Sequence, residues 1–221
     1  MNKFADLMKE TMKGKSLYRI LFNWKVSEIC VGQTGVCLEL ASGKKPASYY
    51  RYWKINSQEI IRVDINPEAK PDIIADLNET LPFSDDYADN VFLFNSLYLL
   101  NKPEEFVGEV FRVLKKGGRF FITAEFIKSE ETNANDIGRF TSRRLRRIFN
   151  AAGFSKIEIV PVGERFSAVG NFFDFTFGHS AVANFFKIFL RLFFLALDVL
   201  MPKKVMVNYP CPISWIVIGE K

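Results

Sequence analysis

A chain of 221 residues with 48% hydrophobic side chains can bury one substantial core, which excludes intrinsic disorder and argues for one embellished domain rather than two. Thirty basic against twenty-five acidic side chains make it mildly basic, a balance that suits an anionic partner or membrane surface without requiring one. Cys30, Cys37 and Cys211 are odd in number and lack C-x-x-C spacing, so neither a disulfide framework nor a metal site is indicated and a reducing, cytoplasmic setting is expected.

The first stretch, "MNKFADLMKETMKGKSLYRI", interrupts its apolar residues with charges and has no signal-peptide core. Residues 1–34 therefore read as an N-terminal helical segment. From 35 to 162, apolar runs alternate with helical patterns. "GVCLEL" (35–40), "EIIRVD" (59–64), "PDIIAD" (71–76), "DNVFLFN" (89–95) and "GRFFITAEF" (118–126) read as buried strands, the alternation expected of a parallel sheet covered by helices.

Between them, "KPEEFVGEVFRVLKKGG" predicts a helix opened by Pro103, with Glu104 and Glu105 at its positive end and Arg112, Lys115 and Lys116 at its negative end before Gly117. "TSRRLRRIFNAAG" predicts another, capped by Thr141 and closed by Gly153. A sixth strand follows at "SKIEIVPV" and a last one at "ISWIVIGE" (213–220). Between these two lies a helical, Phe-rich insertion, 163–210, that starts on the rim of the sheet's carboxyl edge and is expected to cap a pocket.

Ligands of such sheets bind outside the carboxyl ends of the strands. The first loop, Glu39-Leu40-Ala41-Ser42-Gly43-Lys44-Lys45, lacks G-x-G-x-x-G, which disfavours a dinucleotide and the oxidoreductase that would use it. S-adenosylmethionine has no phosphate and fits better. Asp64 ends the second strand, where an acceptor-only carboxylate suits two ribose hydroxyls, and Asp76 with Leu77 could meet the adenine.

The segment "LPFSDDYADNVFLFNSLYLLNKPEEFVGEVFRVLKKGGRFFI" resembles class I S-adenosylmethionine-dependent methyltransferases of the type 11 group, and "NDIGRFTSRRLRRIFNAAGF" resembles a branch of it associated with glycan and cell-envelope substrates. The resemblance implies a three-layer, Rossmann-like α/β fold with a seven-stranded, mostly parallel sheet, an antiparallel last strand (211–221) and a helical insertion before it. It also implies cofactor contacts by Glu39, Ala41, Gly43, Asp64, Ile65, Asp76, Leu77 and Asn95. Ala41 and Lys45 stand where the family usually has glycine.

Methyl transfer from a sulfonium needs mainly alignment and desolvation, and a base only when the acceptor holds its proton tightly. His179 is the lone histidine and so the candidate base, while Tyr98, Asp136 and Arg139 are candidates for substrate contact. In "KIFLRLFFLALDVL", Lys187, Arg191 and Asp198 share one edge and leave a broad apolar face. That pattern suits either a core helix with a solvated edge or an interfacial helix on an anionic membrane, helped by Lys203, Lys204 and the Arg143, Arg144, Arg146, Arg147 cluster. Nucleic acid is disfavoured because no aromatic-interleaved basic strand accompanies the arginines. The expected function is methyl transfer to a small, lipid-linked or glycan acceptor. The alternative is a non-catalytic, membrane-associated binding protein that kept the fold.

Overall fold

The computed structural model describes residues 2–44, 47–53, 59–132, 134–176, 180–208 and 210–221. Two helices, α1 (Lys3–Met12) and α2 (Leu17–Ile29), precede the sheet strands β1 (Val36–Leu40), β2 (Glu59–Asp64), β3 (Ile73–Ile74), β4 (Ala88–Leu93), β5 (Leu114–Glu125), β6 (Lys156–Val162) and β7 (Ser214–Glu220). α3 (Pro103–Val113) joins β4 to β5 and α4 (Ser142–Ala152) joins β5 to β6. α5 (Arg165–Thr176), α6 (Ala181–Leu200) and α7 (Lys203–Asn208) fill the connection from β6 to β7.

The strand order is β3-β2-β1-β4-β5-β7-β6, parallel throughout except that β7 runs antiparallel to both neighbours. This is the mostly parallel, Rossmann-like sheet with an antiparallel last strand that the sequence led us to expect. Strand alternation divides the core in two. Phe120 and Ile122 of β5 join the layer of α3 and α4, whereas Phe121 joins the layer built from α1, α2 and α5.

Local chemistry sets the helix ends. Ser16 accepts from Arg19 N at the start of α2, Thr141 accepts from Arg144 N at the start of α4, and Gly153 closes α4 at φ 104°. Two elements differ from expectation. The third strand shrinks to Ile73–Ile74, and α3 stops at Val113, so Lys115 and Lys116 lie in β5 rather than in a last helical turn. Lys115 instead meets Asp89 at 2.7 Å, and the chain turns through Gly117 and Gly118 where a Cβ on Gly118 would lie 2.8 Å from Lys115 O. The β1–β2 and β2–β3 connections carry short 3-10 turns, Ser48–Arg51 and Pro67–Ala69, in place of full helices among the described residues.

The insertion overturns the reading of α6 as a core helix with a solvated charged edge. Lys187, Arg191 and Asp198 are 3%, 2% and 8% exposed, while Phe185, Phe189 and Phe193 on the opposite side are 59%, 56% and 57% exposed. Arg191 Nη2 pairs with Asp174 of α5 at 2.5 Å and also donates to Lys15 O, while Nη1 donates to Thr11 Oγ1. Asp174 also accepts from Leu17 N at the start of α2, and Asp198 accepts from Phe166 N and Ser167 N in the first turn of α5. Arg191 and Asp198 hold the helix to the protein, and the rings face outward.

The arginines of α4 do not share that surface. α4 packs on the α3 side of the sheet, with Arg144 paired to Glu104 and set over the Phe140 ring. Removing one partner of a buried pair strands the other, so Asp174→Ala should lower unfolding free energy by about 3–5 kcal/mol. The double variant Asp174→Leu/Arg191→Met should lose less, and urea denaturation of the three proteins checks the order.

Candidate functional site

The carboxyl ends of β1, β2 and β3 lie side by side. Ser42 N bonds Val63 O, and Gly43 N donates to Asp64 Oδ2 at 2.8 Å. Arg62 Nη2 reaches back to Gly43 O at 3.0 Å. Asp64 therefore fixes the first loop through one oxygen and accepts from Asn66 N at 2.9 Å with the other. Ile65, next to it, is 60% exposed and offers a bare apolar face. Asp76 bonds Asn78 N in a tight turn, and Leu77 is buried in the core behind it.

Gly43 sits at φ 73° with nothing within 4 Å of a built Cβ, so its backbone faces open space. Ala41 adopts φ 52° and carries a Cβ where glycine would be at ease. Glu39 is buried and accepts from the hydroxyls of Tyr49 and Tyr50, both in the 3-10 turn that follows the loop. Burial pushes its carboxyl upward, against these hydrogen bonds and the charge of Arg62.

The other half of the crevice is a cavity of about 330 Å³ at the ends of β4 and β5, roofed by α2 and α5. Tyr18, Arg19, Asn95, Tyr98, Glu125, Lys128 and Phe172 line it. Asn95 takes φ 59°, which asparagine tolerates, and its side chain accepts from the Tyr18 hydroxyl while its N–H bonds Thr123 Oγ1. Tyr98 donates to Glu131 at 3.1 Å, and Lys128 Nζ lies 3.5 Å from the centre of its ring. Burial pushes both phenols upward, so they remain protonated donors.

Glu125, the last residue of β5, is 3% exposed, and its Oε2 has no hydrogen-bond partner among the described residues. Burial pushes its carboxyl up to about 7, against the nearby charges of Lys128 and Arg139. Sequence reasoning missed this residue. Its signal was the one used for Asp64, an acid closing a strand. Tyr18 and Arg19 carried no comparable signal, because a distant N-terminal helix brings them in.

Of the residues expected to touch a substrate, Tyr98 lines the cavity, whereas Asp136 and Arg139 are absent from its wall and pair with each other. That pair holds the Asp136 carboxyl down to about 2, and Asp136 also accepts from Glu131 N, tying the segment after β5 together. Asn95 belongs to the cavity, while Glu39, Ala41, Gly43, Asp64, Ile65, Asp76 and Leu77 lie outside its wall, at the ends of β1 to β3. His179 falls outside the described residues. No cluster of three metal-ligating side chains occurs among the described residues.

A Rossmann-like sheet in this strand order, with a strand-end crevice divided in this way, defines the class I methyltransferase fold. Residues 38–122 match the family model described as Methyltransferase domain. Among solved structures, the chain is similar to one from a complex between the Haloferax volcanii Trm112 methyltransferase activator and a methyltransferase. That match has 17% identity and TM-score 0.61 and covers 99% of this chain and 97% of that one. It is similar to a SAM-dependent methyltransferase from Archaeoglobus fulgidus, with 16% identity, coverage of 92% and 94%, and TM-score 0.57. It is also similar to phosphoethanolamine N-methyltransferase 2 of Haemonchus contortus in complex with S-adenosyl-L-methionine, with 15% identity, coverage of 90% and 51%, and TM-score 0.54. No curated protein matches the chain by sequence. The match to the methyltransferase-domain family covers residues 38–122, and over nearly its whole length the chain has the fold of S-adenosylmethionine-dependent, class I methyltransferases.

The residues present fit that cofactor. Gly43 leaves its backbone open, Asp64 keeps lone pairs beyond its two backbone bonds, and Ile65 presents an uncovered face. Asp64→Ala removes the strut of the loop together with the lone pairs it leaves open. Calorimetric affinity for S-adenosylhomocysteine should fall by at least about 10-fold, the loss of one charge-assisted hydrogen bond.

The Glu125 shift also sets a stability profile. The folded chain keeps this proton where the unfolded chain, with an ordinary carboxyl at 4.5, has lost it. Its contribution is therefore full below pH 4.5 and is lost as pH rises to about 7. Glu125→Gln should lack this loss and exceed the parent at pH 8 by roughly 2–3 kcal/mol, as measured by urea denaturation at pH 5 and pH 8.

Proposed function

We propose that the protein methylates a small amphiphilic, lipid-linked acceptor while docked on an anionic membrane surface. The observation that carries this reading is Phe172. This residue of α5 lines the cavity and is half exposed, and its neighbour Phe173 stacks on Phe194 of α6, so the helix that walls the pocket also meets the helix that carries the exposed rings.

The wider surface supports it. Phe4, Met8 and Met12 make an exposed stripe on α1, which packs against α6, and Lys9 stands beside them. An interfacial helix needs an apolar face toward acyl chains and a polar face toward something else. In α6 Arg191 and Asp198 are bonded to the protein, which leaves lipid as the natural cover for the rings. Covering one half-exposed Phe gains about 1–2 kcal/mol, so a handful of them suffices for reversible docking. No helix among the described residues is long and apolar enough to cross a membrane.

When bound, S-adenosylmethionine supplies an electrophilic methyl group on a sulfonium. The chain's own residues do the positioning. Gly43, Asp64 and Ile65 would hold the nucleoside, Asn95 stands where the two halves of the crevice join, and α5 screens the cavity from water. Screening and alignment are what this displacement requires.

Flotation with vesicles of phosphatidylcholine and phosphatidylglycerol should carry the parent upward. Phe185→Ser/Phe189→Ser/Phe193→Ser should lower the bound fraction at least 10-fold at unchanged affinity for S-adenosylhomocysteine. A parent that stays at the bottom of the gradient defeats the membrane reading, and a stable dimer buried on these rings would replace it.

A further inference from the structure

We propose that Glu125 is the general base of the reaction and that the acceptor presents a phenolic hydroxyl, an inference that rests on the methyl-transfer reading above and deepens it. Glu125 stands on the cavity wall, almost wholly buried, with Oε2 lacking any partner among the described residues. A buried carboxylate oxygen left unpaired is costly, and such an orphan in a ligand cavity marks the place of a donor that the ligand brings.

The neighbours leave the role to this residue. Tyr18 is engaged with Asn95 and Tyr98 with Glu131, and both phenols are held protonated. Arg19 comes from α2, and Lys128 and Glu131 follow β5 on the same wall. Behind them Asp136 and Arg139 are committed to each other. α5 and β7 contribute Asn171, Phe172 and Ser214 to the wall, none of which titrates.

Of the two cations on the wall, Lys128 is paired with Glu131 at 2.6 Å, which leaves Arg19 to favour an oxygen that gains negative charge in the transition state. The base strength points the same way. A carboxylate near pH 7 can take a proton from a phenol of pKa roughly 10 far more readily than from an alcohol close to water at about 16. In the step, the hydroxyl oxygen forms a bond to the methyl carbon as the carbon–sulfur bond breaks and leaves its pair on sulfur. The hydroxyl proton passes to Glu125 and from there to solvent. The products are a methyl ether and neutral S-adenosylhomocysteine.

The test compares the parent with Glu125→Gln, using 4-octylphenol and 4-octylaniline as probes and calorimetry with S-adenosylhomocysteine as the control. We expect transfer to the phenol, with kcat/KM rising through about pH 7, and a loss of 10²–10⁴-fold in the variant with its rising limb removed. A parent-minus-variant infrared spectrum should show a protonated carboxyl band that titrates near pH 7, independently of turnover. An unchanged rate and profile in a variant that binds S-adenosylhomocysteine, or no such infrared titration, overturns the base. Transfer to the aniline alone, or to neither probe by a parent that binds S-adenosylhomocysteine, overturns the phenolic class. A folded parent that does not bind S-adenosylhomocysteine overturns the methyl-transfer reading itself.

Discussion

The Arg191–Asp174 pair is the constraint on which both functional surfaces depend. A guanidinium and a carboxylate this deeply buried are tolerable only when their remaining hydrogen-bonding capacity is filled. Here Thr11, Lys15 and the first amide of α2 fill it. The pair thereby fixes the rotation of α6, which turns its rings outward, and the start of α2, which carries Tyr18 and Arg19 to the cavity wall. Asn171, one turn before Asp174, accepts from Tyr18 N and completes the junction.

The two halves of the crevice are built differently. At the ends of β1 and β2 the chain works mainly through backbone, with an open Gly43 and a loop strapped by Asp64 and Arg62. Such a site tolerates the replacement of glycines so long as the close approach at one position survives. That explains how Ala41 can stand in a left-handed conformation without closing the loop. At the ends of β4 and β5 the work falls to side chains drawn from five separated parts of the sequence. Charge balance there is set by burial, since Lys128 and Arg139 only partly offset the desolvation of Glu125.

This difference decides what could be read from the sequence. The mostly parallel sheet followed from the alternation of apolar runs, because buried strands and helix stripes leave periodic signals, and the antiparallel last strand followed from the family resemblance. The capped helix at Thr141 was equally legible. The end of α3 was not, because two lysines before a glycine pair read as a helix terminus while the close approach of Gly118 to Lys115 O is invisible in one dimension. Loop acids were legible as strand-end carboxylates. Tyr18 and Arg19 were not, since their place depends on how α2 docks.

The inversion of α6 shows most clearly why a helical pattern alone cannot assign sides. Three charges on one edge and rings on the other give the same periodicity whether the edge meets water or protein. Tertiary partners break the tie, and here those partners are Asp174 and the amides of α5. A helix held to the protein by Arg191 and Asp198 gains nothing from solvent on its apolar side. If lipid covers that side, Phe172 places the acyl boundary at the mouth of the cavity, so a lipid-linked acceptor can offer its polar head to Glu125 while its tail stays in the membrane. The same buried pair that orients the docking helix would then also set the depth at which the head group enters.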